Sequence, residues 1–126
     1  MQRTVYSAEH EQFRASVREF VQRDLVPHLD RYRSEGAVDG AAWRAAGALG
    51  LLGLAVPTEF GGAGNDDFRF RAVAIEELAE ASHGLSSTFS ISFDITTPYL
   101  VELASPAVAA AWLPALAQGE AIAAIA

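Results

Sequence analysis

Apolar residues recur at three- and four-residue spacing along most of this chain, the period of helices that bury one face. Phe13, Val17, Phe20 and Val21 form the first stripe, behind Ser7 as N-cap and with Glu9 and Glu11 in the first turn. Pro27 lacks an N–H, so the pattern predicts an end or bend near Leu25, with Leu29 and Tyr32 continuing a shorter piece up to Gly36. Residues 35–40 read as a loop. A second helix fits 41–49, with Trp43, Ala46 and Leu49 on one side and Gly50 where a left-handed cap belongs. Leu51 to Val56 is apolar but interrupted by Gly53, which predicts buried irregular chain, and Pro57 to Asn65 is a long turn rich in glycine.

Asp66 or Asp67 caps a third predicted helix that runs through Glu80. Its inner face holds Phe70, Val73, Ala74, Leu78 and Ala81, and its outer face Glu76, Glu77 and Glu80. From Leu85 to Leu103 the chain is apolar but rich in Ser and Thr. Its length and the positions of Phe89, Phe93 and Leu100 favour a buried helix over a strand, with Pro98 bending it. Proline suits the first helical position, so Ser105-Pro106 opens a last helix that Gly119 stops. The pattern therefore predicts an all-α bundle of five to six helices, with no clear strand until the apolar end at Ile122 to Ala126.

At 126 residues the chain is long enough for one domain with a real core. It has no cysteine, which removes disulfides, thiolate metal sites and a cysteine nucleophile, and makes the cytoplasm the simplest location. Met1 to Ser7 shows no apolar signal region, and no apolar stretch is long enough to span a membrane. The net charge is −7, from nine arginines, no lysine and sixteen carboxylates, which speaks against nucleic acid as a partner. Arg14, Arg18, Arg23, Arg31 and Arg33 do cluster, but Glu11, Glu19, Asp24, Asp30 and Glu35 lie between them, the pattern of a solvated helix face.

Three motifs invite chemistry. Glu80 to His83 has the Glu-x-x-His spacing of carboxylate-bridged di-iron bundles, but Ser7 and Leu25 stand three residues before His10 and His28, so the required second copy is absent. His83 then reads as a polar residue at a helix end, where its positive form suits the dipole, and no metal ligands are assigned. Gly61 to Gly64 resembles a phosphate cradle, yet Asp66 and Asp67 place negative charge at the same helix start and the spacing fits no nucleotide fingerprint. A structural turn is the better reading. No Gly-x-Ser-x-Gly elbow is present, so no nucleophilic triad is assigned either.

Several segments occur in an order that carries a resemblance: Val17 to Phe20, Trp43 to Leu54, Val56 to Gly64, Glu76 to Ala79, and Trp112 to Leu116 followed by Gly119-Glu120. Together they resemble the N-terminal helical domain of the acyl-CoA dehydrogenases over nearly the whole chain. The resemblance implies residues 1–120 as that domain and, at the C-terminus, residues 121–126 as the start of a β-strand that opens a middle β-domain. It also implies a FAD-dependent flavoprotein oxidoreductase of fatty acid metabolism, with FAD held mainly by domains beyond this one. An acyl-CoA substrate and a homo-oligomeric complete enzyme follow from the same resemblance. The implied reaction is removal of the α-proton of an acyl thioester coupled to β-hydride transfer onto flavin N5. The family's catalytic glutamate lies in the C-terminal domain, so no catalytic residue is assigned here and the chain alone is expected to be inactive.

What the resemblance assigns to this domain is one wall of the acyl pocket, on the helix matching Leu85 to Leu100. The implied substrate-binding residues are Ser86, Phe89, Ser90, Phe93 and Asp94, with Ile125 near the flavin edge. Asp94 departs from the family pattern, where an apolar residue is usual. An unpaired buried carboxylate is costly, so it meets a polar substrate group, finds a partner or turns away. The serines leave room for a longer or functionalised acyl group. A non-catalytic helical subunit or interaction module, completed by a partner, and the N-terminal domain of a related flavin-dependent monooxygenase are the alternative readings.

Overall fold

The computed structural model describes residues 5–126, so the signal-peptide reading of Met1 to Thr4 lies outside the described residues. The described chain is helical, in five continuous rods. The first rod comprises α1 (Ala8–Phe20), a π turn (Val21–Leu25), a 3-10 turn (Val26–His28) and α2 (Leu29–Glu35). The second is α3 (Gly40–Ala48), the third α4 (Phe68–Ala81), and the last α7 (Pro106–Gln118). Between α4 and α7 a fourth rod joins α5 (His83–Ser90), a π turn (Ile91–Thr96) and α6 (Thr97–Leu103). No strand forms among the described residues, and 122–126 carry no regular structure. A strand exists only against a partner that takes up its N–H and C=O groups, and this domain offers none there. None of the described helices is long and apolar enough to cross a membrane.

Prolines explain both bent rods. Pro27 and Pro98 each follow a π turn, in which Val26 N–H donates to Val21 O and Thr97 N–H to Ser92 O. A proline inside a helix removes one N–H and crowds the carbonyl four residues back, and the wider π turn accommodates both effects. Thr96 Oγ1 donates to the Ile91 carbonyl at 2.8 Å, giving that π turn an additional bond.

The core lies between α1, α3, α4 and the fourth rod. Val17, Phe20, Val21 and Leu25 pack there with Trp43, Ala46, Leu78, Leu85, Phe89 and Phe93, and the irregular strip adds Leu51, Leu52 and Leu54. A smaller cluster of Val56, Ala109, Leu113 and Ala117 seats α7 on the glycine turn. Caps fall close to the predicted places. Asp67 accepts from Arg69 N, Ser105 from Val108 N, and Gly50 and Gly119 end helices with φ of 84° and 72°. Replacing Ser105 by alanine is expected to cost about 1 kcal/mol, read as a lower melting temperature; an unchanged temperature would show that Pro106 alone starts α7.

Two expectations about charge need correction. Glu77 does not face outward: only 4% exposed, it receives Arg18 Nε at 2.8 Å, Arg18 Nη2 at 2.9 Å and Arg14 Nη1 at 3.0 Å. Arg14 and Arg18 accordingly tie α1 to α4 and are not merely a solvated face. His83 opens α5 behind the Ser82 cap, so it stands at a helix N-terminus, where a positive charge opposes the dipole and is not favoured by it.

Candidate functional site

The helix break at Ser82 separates Glu80, on α4, from His83, on α5, so the Glu-x-x-His pair does not share a helical face. In the glycine turn every N–H from Gly61 to Asn65 is already committed. These groups donate in order to Thr58 O, Pro57 O, Gly53 O, Val56 O and Leu54 O. A loop whose amides point inward to its own carbonyls has no donors left for a phosphate.

Attention therefore falls on the fourth rod. Ser86, Phe89 and Phe93 look inward. Ser86 Oγ donates to Ile75 O at 3.2 Å, which satisfies the hydroxyl inside the domain. Phe89 is fully buried, its ring 4.5 Å from Trp43 and 6.3 Å, edge-on, from Phe20. Phe93 is buried in the same core. Ser90 and Asp94 are half-buried at the margin of that face, and Ser90 Oγ reaches Ser87 O at 3.4 Å. The opposite face of the rod is open, with Ile91, Ile95 and Tyr99 exposed at four-residue spacing. A large apolar row in this position is the feature that sequence reading missed. The signal was present in the spacing, but the α-helical period assigned the phenylalanines and isoleucines of this rod no inner and outer side.

Asp94 finds a partner that the sequence did not suggest. Arg71, in the first turn of α4, places Nη1 3.3 Å from Asp94 Oδ1. The two side chains are 17% and 20% exposed, so neither is fully in water nor fully enclosed. The guanidinium carbon of Arg71 also lies 5.0 Å from the centre of the exposed Phe68 ring. The contact is an ion pair without hydrogen-bond geometry: Arg71 Nε and Asp94 Oδ1 are buried atoms with no hydrogen-bond partner. Thr97 Oγ1, three residues after Asp94, is in the same condition.

At the start of α1, His10 was not singled out from the sequence, yet it is buried and joins two helix ends. Ser7 N–H donates to His10 Nδ1 at 3.0 Å, so the proton sits on Nε2, which lies 3.2 Å from Asp67 Oδ2 at the cap of α4. The hydrogen bond from Arg69 and the α4 amide hold the Asp67 carboxyl far below the usual carboxylate range. This arrangement fixes α1 against α4, and its geometry is that of a joint.

FAD finds no cradle among these residues. The glycine turn does not fit its phosphates, since the amides there are taken. Ile125, more than half exposed, offers an apolar edge without a polar group to hold the cofactor. Neither of these two features, by itself, supplies a holding site for the flavin.

The sequence model for the acyl-CoA dehydrogenase N-terminal domain matches residues 7–120. The long-chain specific acyl-CoA dehydrogenase of mouse mitochondria is 36% identical over 124 residues, covering 98% of this chain and 28% of that protein. Isovaleryl-CoA dehydrogenase of rice mitochondria is 30% identical over 124 residues, covering 97% of this chain and 30% of the relative. Among solved structures, an acyl-CoA dehydrogenase from Geobacillus kaustophilus superposes with a TM-score of 0.88 at 29% identity, over 96% of this chain and 31% of that one. The chain thus spans under a third of the length of these relatives. Matched from before α1 to just past α7, it belongs to the acyl-CoA dehydrogenase family and corresponds to that family's N-terminal domain.

Proposed function

We propose that this chain is the N-terminal domain, residues 1–120, of a complete FAD-dependent acyl-CoA dehydrogenase, with 121–126 leading into a middle β-domain. In that enzyme the fourth rod forms one wall of the acyl pocket. The complete enzyme removes one hydrogen from each of two adjacent carbons of an acyl thioester, with FAD as acceptor. The observation that carries this reading is the open row of Ile91, Ile95 and Tyr99 on a rod whose other face is core. Exposed apolar side chains in such a row suit an alkyl chain, since covering what remains exposed of each contributes about 1 kcal/mol.

The wall is formed by Ser90, Ile91, Asp94 and Ile95. Ser86, Phe89 and Phe93 support it from behind and do not touch the acyl chain, because their own domain already covers them. Ile125 lines an apolar approach to the flavin held by the other domains. The proposed compartment is the cytoplasm, on the cysteine-free composition, and the proposed assembly is a homo-oligomer.

The test is to express the complete reading frame and follow enoyl-CoA formation with a panel of acyl-CoAs. Acyl-CoA-dependent reduction of an electron acceptor, with one FAD per subunit, is the expected result. Oxygen insertion in place of desaturation would make it a flavin-dependent monooxygenase. A reading frame that stops after Ala126 and yields a protein without flavin would make it an interaction module. The 126-residue chain by itself is expected to bind no stoichiometric FAD and to show no turnover, which absorbance at the flavin bands checks directly.

A further inference from the structure

The Arg71–Asp94 pair is unusual for a wall that holds an alkyl chain. Phe68, whose ring lies 5.0 Å from the Arg71 guanidinium carbon, is exposed and apolar, as are Ile91 and Ile95 on the rod that carries Asp94. Into this surface the rod sets a carboxylate and α4 a guanidinium, each mostly withdrawn from water. Neither is fully compensated. Their one contact is 3.3 Å long, and Arg71 Nε and Asp94 Oδ1 have no hydrogen-bond partner among the described residues. Withdrawing two charges from water is offset only when good hydrogen bonds accompany the Coulombic attraction. An apolar pair of the same size would pack here at no such cost.

We propose that the Arg71–Asp94 pair is the specificity-determining contact for an acyl group that carries a hydroxyl on its chain. This rests on the reading that the fourth rod lines the acyl pocket. A hydroxyl is the group that matches the pair as a whole. Arg71 Nε and Asp94 Oδ1 are themselves closed to solvent, so the hydroxyl meets the accessible remainder of each group: its oxygen accepts from the guanidinium while its proton is donated to the carboxylate, and no net charge is added. A carboxylate on the substrate would meet Arg71 favourably but stand against Asp94, and an unsubstituted chain would leave both groups unmet. The isoleucines on either side accommodate the methylene segments before and after the hydroxyl.

The experiment uses the complete flavoenzyme and pairs of acyl-CoAs of equal length, with and without a hydroxyl moved stepwise along the chain beyond the β-carbon. For the natural sequence kcat/KM is expected to favour the hydroxylated member at one position by at least about tenfold. A site built to hydrogen-bond a hydroxyl discriminates strongly against the analogue that lacks it. The double variant Arg71→Met, Asp94→Leu is expected to invert that preference, read as the ratio of kcat/KM between the two members of each pair. Asp94→Asn, which conserves shape, is expected to reduce the preference and guards against a variant that fails to fold.

Equal kcat/KM for both members of every pair in the natural enzyme overturns the proposal. So does a double variant that loses the same factor on plain and hydroxylated chains, since the pair would then serve the contact with the remaining domains. Absence of turnover with any acyl-CoA removes the pocket reading itself. Turnover of plain chains without a hydroxyl preference removes only this inference.

Discussion

Replacing Glu77 by alanine is expected to destabilise the domain by about 3 kcal/mol, equivalent to roughly 10 °C in melting temperature at this chain length. The carboxylate is buried on α4 and takes up hydrogen bonds from both Arg14 and Arg18 of α1. Removing it leaves Arg14, only 15% exposed, short of one partner while Glu76 and Glu11 still hold it. Arg18 reaches mostly into solvent, so Arg18→Ala should cost much less than Glu77→Ala. Similar losses for the two variants would show that Glu77 is held by packing more than by charge.

The same residue makes stability depend on acid. Burial by itself raises the Glu77 carboxyl, but the hydrogen bonds and charges of Arg18 and Arg14 outweigh it and hold the group below its usual range. A carboxyl whose folded value lies below its unfolded value, near 4.3, contributes stability that is complete above that value. The contribution is lost as pH falls through the folded value. The difference in melting temperature between the natural protein and Glu77→Ala should therefore be constant near neutrality and shrink in acid. A difference that grows on acidification would contradict the sign of this linkage.

Gly119→Ala is expected to be the second severe change. The glycine ends α7 with φ of 72°, and a Cβ added there would lie 2.1 Å from the Trp43 carbonyl oxygen and 2.9 Å from Arg44 N. Both are backbone atoms of α3, which cannot turn aside as a side chain can. Left-handed strain alone costs about 1–2 kcal/mol, and the forced separation of α3 and α7 should bring the total to about 3 kcal/mol or more. Gly36 is the control, because it has φ of 67° but nothing within 4 Å of an added Cβ. Gly36→Ala should cost only the conformational part. Amide exchange along α7 would distinguish the two, rising sharply for Gly119→Ala alone. Equal losses would mean that the approach of α7 to α3 contributes nothing.

The run from Trp43 to Gly64 shows how identity and chemistry can be written in different places. It carried the resemblance most clearly, and in the fold it is scaffold. Trp43 fills the core, Leu51 to Val56 form a buried strip, and the amides of the glycine turn close on their own chain. The surface that faces outward with apolar and charged groups together lies elsewhere, on the rod from His83 to Leu103 and the first turn of α4.

Helix number, the two proline bends, the caps and the family were determined by sequence alone, because each depends on local properties. These are a repeat of apolar positions, a missing N–H, a side chain that accepts an N–H, or a glycine at positive φ. Tertiary structure alone decided which face of the fourth rod is inside. The Phe89–Phe93 row and the Ile91–Ile95 row are both apolar at helical spacing, so only the packing of the rod against its neighbours puts Ser86, Phe89 and Phe93 inside and leaves Ile91 and Ile95 outside. It also decided that Glu77 turns inward and that Asp94 meets Arg71. Those partners lie 59 and 63 residues from Glu77, and on a different rod from Asp94. Pairing at that distance depends on where helices pack, which no local pattern of polar and apolar residues encodes.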